Sequence, residues 1–453
     1  MNKNEIEVLR KQALKHVWLQ FTQKRDLPKK GPRIIVSGKG CIVKDHEGRE
    51  YIDAIAGIQT TLVGHNQKEI IKAIQDQLNQ IEFFPSFGDS NIPSIKLAKE
   101  LSQVTPPKIN TFFFVNSGSE ATEAAMKIAK AYHGFSAYPR KRKIISRRRA
   151  FHGTTMGALS ANGFVFQRSQ FEPLLPGYLH ISPPYCYRCD FKKSYPKCDL
   201  DCAYQLEQII KFEDPQTVAA MIAEPVMGAT AGIIIPPPEY FPIIRKICDK
   251  YKVLLILDEV ITGFGRTGKF FACEHWGIQP DIICLAKGLS SGYLPIGAVG
   301  VSNQIVEKVY ANSTRNFVHG HTYGGHPVCC AAALENVQII QRENLVQRSQ
   351  QIGEYLSERL NGSLQNKKIV GDIRGIGMLF CIELVKNKTD KEQFATNEVG
   401  LWVKNRCSEL GVIVREDQNK ICLAPPLVLE KEQADKIVEV LSQALSEAEN
   451  KFI

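Results

Sequence analysis

Three stretches of this chain carry residue types that become chemically useful when combined. In DIICLAKGLSSGYLPIGAV, residues 281–299, an apolar run ends directly on Lys287 and is followed by small, turn-forming residues. A lysine taken out of water loses its preference for the ammonium form and becomes an amine able to capture a carbonyl. In LLILDEVITGFGRTG, residues 254–268, another apolar run delivers Asp258 into low dielectric. A carboxylate there requires a cationic partner or several donors, and a protonated ring nitrogen satisfies that need. In NSGSEATEAAMKIAK, residues 116–130, Ser117 has the position of a helix cap, with Glu120 three residues on as its reciprocal partner. Gly118 admits close approach to the backbone, and the free N–H groups of a helix start suit a phosphate. Taken alone, the third stretch reads first as an ordinary capped helix.

The surrounding elements must bring these groups together. INTFFFVN (109–116), KIISR (143–147), VAAMIAEP (218–225), VLLILDEV (253–260) and DIICLA (281–286) read as buried strands. Helical stretches such as 119–132 and PEYFPIIRKICDKY (238–251) lie between them. That alternation predicts a mostly parallel sheet covered on both faces, with ligands beyond the carboxyl ends of its strands, where Glu224, Asp258 and Lys287 stand. After Pro327 one long helical stretch, 329–360, leads into IRGIGMLFCIEL, GVIVRE, KICLAPPLVL and a terminal amphipathic helix, which read as a smaller α/β domain. With 453 residues the chain has room for two domains. A phosphate cradle, a carboxylate for a ring nitrogen and an amine 29 positions further on are together what pyridoxal phosphate requires.

Composition narrows the alternatives. The chain is 44% hydrophobic and 23% charged, as soluble globular proteins are. No run approaches the roughly 20 apolar residues of a membrane span. The N-terminus has no apolar leader core and reads as an amphipathic helix, so the expected compartment is the cytoplasm. The net charge of +10 is compatible with nucleic acid, an acidic surface or anionic small molecules. The densest basic run, RKRKIISRRR (Arg140–Arg149), reads as a solvated strand with basic flanks, and no nucleic-acid signature accompanies it. Nine of thirteen cysteines sit in apolar contexts as small buried hydrophobes.

The ordered stretches NSGSEATEAAMKIAKAYHG, FHGTTMGALS, AEPVMGATAGIIIPP, LDEVITGFGRTG, PDIICLAKGLSSGYLPIGAV, HGHTYGGHPVCCAAAL and RGIGMLF resemble the class III pyridoxal-phosphate-dependent aminotransferases over nearly the whole chain. Within that class the ω-amino acid–pyruvate and 4-aminobutyrate types are the most similar. The resemblance implies the fold-type-I, aspartate-aminotransferase-like α/β architecture: a large cofactor domain (59–326) and a small domain from residues 327–453 joined by the N-terminal segment 1–58. It implies that Lys287 holds the cofactor covalently and shuttles a proton, and that Asp258 keeps the ring nitrogen protonated. Val260 and Phe151 would face the two sides of the ring, and Gly118 and Ser119 would hold the phosphate. Ser117, His152 and Glu224 count among the cofactor contacts, and Thr322 would reach the phosphate of a second subunit in a homodimer. The three histidines near Thr322 (His319, His321 and His326) are read as part of a phosphate loop, ahead of a metal site.

For the substrate, the resemblance implies a switchable ion pair between Glu224 and Arg415, with Arg415 binding a substrate carboxylate in one half-reaction. The two partners are a small-molecule amino donor and a keto acid, pyruvate or 2-oxoglutarate, in a ping-pong transamination. Two positions depart from similar enzymes: Phe151 stands where many have tyrosine, and Gln59, a substrate contact by position, where several have tryptophan. The same lysine and electron sink serve racemisation or epimerisation, which is the first alternative activity. A non-catalytic metal- or nucleic-acid-binding regulator on this scaffold is the second.

One motif stands apart. Residues 183–202, PPYCYRCDFKKSYPKCDLDC, space Cys186, Cys189, Cys198 and Cys202 as C-x2-C-x8-C-x3-C. Paired short spacings of thiols resemble zinc ligation, and some 4-aminobutyrate aminotransferases hold an iron–sulfur cluster. A surface loop with free thiols is the other reading.

Overall fold

Strands of four to seven apolar residues, too short for helices and rich in β-branched side chains, build the centre of the molecule. The computed structural model describes residues 3–28 and 31–453; the first two residues of the expected N-terminal helix lie outside them. Its strands are β1 (Ile35–Lys39), β2 (Ile42–Asp45), β3 (Glu50–Asp53), β4 (Ile109–Val115), β5 (Lys143–Arg147), β6 (Tyr178–Ile181), β7 (Val218–Ala223), β8 (Leu254–Asp258), β9 (Ile282–Leu285), β10 (Gly297–Ser302), β11 (Val370–Ile376), β12 (Leu379–Leu384), β13 (Val412–Ile413), β14 (Arg415–Asp417) and β15 (Lys420–Leu423).

Seven of them form the main sheet in the order β4-β10-β9-β8-β7-β5-β6. Every pairing from β9 through β6 is parallel, and β10 alone runs against its neighbours. Strands β7 and β8 are wholly buried, which fits a sheet covered on both faces. The helix Gly118–Gly134 packs across β7 to β10 through Ala121, Ala124, Ala125 and Ile128. Small side chains on that face let it sit close to the sheet. Its first turn therefore lies beside the carboxyl ends of β8 and β9.

The second sheet, β11-β12-β15-β14, is antiparallel. The third, β1-β2-β3-β13, joins the N-terminal strands to the C-terminal region through a parallel pairing of Val412 with Ile52. The hairpin between β11 and β12 turns at Gly377, whose φ is +54° and where a Cβ would sit 2.3 Å from the Thr267 carbonyl carbon.

Two sequence expectations fail for identifiable reasons. The single long helix after Pro327 is two helices, Pro327–Arg342 and Leu345–Leu364, broken at Asn344 with φ +52°. Asparagine tolerates that left-handed backbone, and the apolar periodicity on either side hides the break. The basic run Arg140–Arg149 is not a solvated strand. Its β5 core lies between β7 and β6, with four of five residues buried. Lys141 is 1% exposed and donates to the carbonyls of Pro215, Val218 and Tyr251 at 2.8–2.9 Å. Arg147 is fully buried. Backbone carbonyls take the Lys141 ammonium and one Arg147 nitrogen, and a carboxylate stands beside the Arg147 guanidinium, none of which charge counting along the chain registers.

Candidate active site

The carboxyl ends of β7, β8 and β9 open into a cavity of about 420 Å³. Its wall includes Ser117, Gly118, Ser119, Phe151, His152, Glu224, Asp258, Val260 and Lys287. Asn116, Thr60, Ile261, Ser290, Leu294 and Ile296, which carried no chemical signal in the sequence, complete it.

The helix start is built as its residue types require. Ser117 accepts a hydrogen bond from the Glu120 N–H at 3.2 Å, and Glu120 accepts from the Asn116 N–H at 2.7 Å. Gly118 and Ser119, the first residues of that helix, line the cavity. Ser119 Oγ accepts from the Thr154 N–H at 3.1 Å, tying the 151–154 loop to the cradle. The contact is close because residue 153 is glycine: its φ is +131°, and a Cβ there would lie 2.5 Å from Ser119 Oγ. Gly118 likewise leaves room against Val260, whose Cγ1 lies 3.0 Å from where a Cβ would stand.

Asp258 closes β8 and is 4% exposed. Its Oδ2 meets His152 Nδ1 at 2.8 Å, and its Oδ1 accepts from the Val260 N–H at 3.1 Å. His152 Nε2 is buried without a partner among the described residues. Glu224, at the end of β7, is 4% exposed, and burial raises its carboxyl above the ordinary range while His152 and Arg147 pull it down.

Lys287 follows β9 in a left-handed backbone, φ +45°. A non-glycine residue adopts that conformation at a cost, and such strain gathers at functional positions. Among the described residues none accepts a hydrogen bond from its ammonium. Burial lowers its pKa from 10.5 to about 8; Asp258 opposes the shift and Arg415 adds to it. The amine is therefore partly neutral near physiological pH, as a carbonyl-capturing lysine must be.

The residues present fit pyridoxal phosphate. The helix start with its two glycine clearances takes a phosphate, Asp258 presents an acceptor to a ring nitrogen, Val260 and Phe151 line the space between, and Lys287 reaches it as an amine. When bound, that cofactor supplies an electron sink; the chain supplies the amine, the proton shuttle and the carboxylate.

Of the residues expected at the substrate, neither Gln59 nor Arg415 lines this cavity, and Thr322, expected at the phosphate of a second subunit, lies outside the cavity of its own chain. Gln59 is 2% exposed, does not line the cavity, and leaves its amide nitrogen without a partner. Thr322 is exposed on the loop that carries the three histidines, also outside the cavity. Glu224 does not pair with Arg415. Arg147, at the end of β5, donates to the Glu224 main-chain oxygen and places its guanidinium 3.7 Å from Oε2. Arg415 instead meets Asp417 at 3.2 Å. Arg147 was hidden because an arginine in a basic run carries no positional signal. Its place at a strand's carboxyl end, the same rule that singled out Glu224, Asp258 and Lys287, was the available clue.

The four clustered cysteines are all free thiols. Among the described residues no group of three or more His, Cys, Asp or Glu side chains is arranged to hold a metal ion, so the zinc and iron–sulfur expectation gains no support. Protein contacts hold the segment instead. Tyr185 and Arg188 both donate to Glu383 of β12, the latter at 2.6 Å, and Lys391 donates to the Tyr187 carbonyl at 2.9 Å. These interactions join this segment to the second sheet.

Fold and site together define a pyridoxal-phosphate-dependent enzyme of fold type I. Comparison with known proteins makes the assignment specific. The class III aminotransferase family profile matches residues 27–445, and the chain belongs to that family. It is 37% identical over 429 residues to a putrescine–pyruvate aminotransferase of Pseudomonas aeruginosa, covering 94% of this chain and 93% of that one. It is 38% identical over 427 residues to a probable γ-aminobutyrate transaminase 3 of Oryza sativa subsp. indica, covering 93% and 83%. Among solved structures, a thermostable (S)-enantioselective ω-transaminase from Thermomicrobium roseum superposes with a TM-score of 0.93 at 39% identity, covering 99% of both chains. The racemase and the non-catalytic alternatives are not favoured by these similarities. No helix among the described residues is long and apolar enough to cross a membrane.

Proposed function

We propose that the enzyme takes the amino group from a terminal amine, a diamine or an ω-amino acid, and passes it to a small keto acid such as pyruvate. The observation that carries this reading is the cavity with Lys287 as a depressed-pKa amine beside Asp258; Arg415 stands outside the lining and adds to the fall in the lysine's pKa. In this reading Lys287 holds the cofactor and moves the proton at the substrate carbon. Asp258, oriented by His152, holds the ring nitrogen. Phe151 and Val260 confine the ring, Ser117, Gly118 and Ser119 take the phosphate, and Arg415 receives the keto acid carboxylate. Gln59 acts from behind the wall, through the segment 56–59, and not as a direct contact.

We place Thr322 at the phosphate of a second subunit, making the working unit a homodimer with shared sites. Its exposure outside its own cavity supports this, as do the large apolar side chains exposed nearby: Phe87 at 69%, Tyr310 at 82% and Val318 at 89%. The division into segment 1–58, large domain 59–326 and small domain 327–453 fits the pairing of β3 with β13. The many buried free thiols favour the cytoplasm.

A donor–acceptor activity matrix tests the reading, with diamines, ω-amino acids and α-amino acids against pyruvate and 2-oxoglutarate. Transfer from terminal amines at least tenfold more efficient than from α-amino acids is expected. Preference for α-amino donors refutes the substrate class.

A further inference from the structure

The partner of Arg415 in this chain lies on its own strand. Strand β14 is the edge of the second sheet and packs beside the 229–231 turn that follows Glu224. Residues two apart on a strand share a face, so Arg415 and Asp417 stand side by side there while Glu416 points away and accepts from the Asn419 N–H at 2.8 Å. The pair is a single contact, Arg415 Nη2 to Asp417 Oδ2 at 3.2 Å, not a two-pronged one. Arg415 Nε is buried with no acceptor among the described residues, so the guanidinium keeps unused donor capacity. The carboxylate that would compete for it across the site, Glu224, is held by Arg147.

Asp417 has a second cation in reach. Lys420 of β15 stands directly opposite it in the sheet register and is 2% exposed. Burial lifts the Asp417 carboxyl above its usual range, and Arg415 and Lys420 both pull against that rise. When Arg415 leaves, Asp417 still faces a buried ammonium, so the departure does not strand a charge.

We propose that Asp417 is the resting partner of Arg415 and sets the enzyme's affinity for substrates that bear a carboxylate. This rests on the reading above that Arg415 receives that carboxylate. Binding then exchanges one ion pair for another, and the observed affinity is the difference between them. A diamine, which has no carboxylate, leaves the Arg415–Asp417 pair intact.

The test is steady-state kinetics of the holoenzyme with a diamine as donor and pyruvate as acceptor. Asp417→Asn removes the charge and keeps the shape. It is expected to lower KM for pyruvate about one-and-a-half- to fivefold, the span of a partly exposed ion pair, with no matching fall in KM for the diamine. Asp417→Ser serves as a second variant should the first fold poorly, with the same expectation. Arg415→Ala raises KM for pyruvate, and adding Asp417→Asn to it changes nothing further. If Arg415→Ala raises that KM while neither Asp417 variant lowers it, the resting-partner proposal is overturned and the carboxylate reading stands. If Arg415→Ala leaves KM for pyruvate unaltered, the carboxylate reading fails and takes the proposal with it.

Discussion

Lys287 offers the sharpest quantitative expectation. Burial brings its pKa from 10.5 to about 8. At pH 7 a group of pKa 8 is about one-tenth neutral, whereas at 10.5 about one molecule in 3,000 is neutral, a gain of roughly 300-fold in reactive amine. The perturbation is pH itself, applied to the apoprotein. Limiting acetic anhydride is added at each pH, and acetylation of Lys287 is compared with that of exposed lysines such as Lys72 by mass spectrometry. Labelling of Lys287 should climb about tenfold per pH step below 8 and level off above it. Two substitutions fix the sign of the neighbours. Asp258→Asn removes the charge that holds the ammonium form and moves the midpoint down; Arg415→Ala removes a repelling charge and moves it up. A wild-type midpoint at 10 or above, or a rise with Asp258→Asn and a fall with Arg415→Ala, would refute the electrostatic account. Stability follows the same linkage. The folded pKa lies below the unfolded one, so the destabilisation is fully present below pH 8 and is relieved as pH rises toward 10.5.

Other expectations concern the supports of the site. Arg147→Met leaves Glu224 buried without the guanidinium beside it and should cost about 3–5 kcal/mol in urea unfolding; Arg147→Lys keeps the charge at a different reach and should recover part of that loss. Gly153→Ala forces a Cβ onto Ser119 Oγ at a φ of +131°, and should weaken pyridoxal phosphate binding to the apoprotein at least tenfold by equilibrium titration. Asn344→Gly should be near neutral in thermal unfolding and Asn344→Val should cost about 1–2 kcal/mol, since the helix break needs a left-handed residue. Glu383→Ala strips Tyr185, Arg188 and Arg374 of a shared buried acceptor, and should make the 183–202 segment measurably faster in amide hydrogen exchange.

Much of the architecture was legible because each local pattern has one low-energy solution. Short apolar runs of β-branched residues cannot remain in water, and alternation with amphipathic helices leaves a doubly covered parallel sheet as their shelter. The strands read at 109–116, 143–147, 218–225, 253–260 and 281–286 all lie in that one sheet. The group at its carboxyl edge was legible for the same reason: Lys287, Asp258 and Glu224 end apolar strands, and a charge there must face a ligand or a partner. The Asn344 break was not legible, because an asparagine within unbroken apolar periodicity reads equally as an exposed helical position.

Sequence alone determined that an amine, a carboxylate and a phosphate cradle exist, each at the end of an element that must be buried. It also determined the family, through the order and spacing of seven stretches. Only tertiary structure decided which cation meets which anion. Arg147, Arg415, Asp417, Lys420 and Glu224 allow several pairings on paper. The sheet order that sets β5 beside β7 gives Glu224 to Arg147, and the two-residue repeat of an edge strand gives Arg415 to Asp417. Ion pairing depends on distances of a few ångströms between residues far apart in the chain, and those distances arise from packing, to which no local pattern refers.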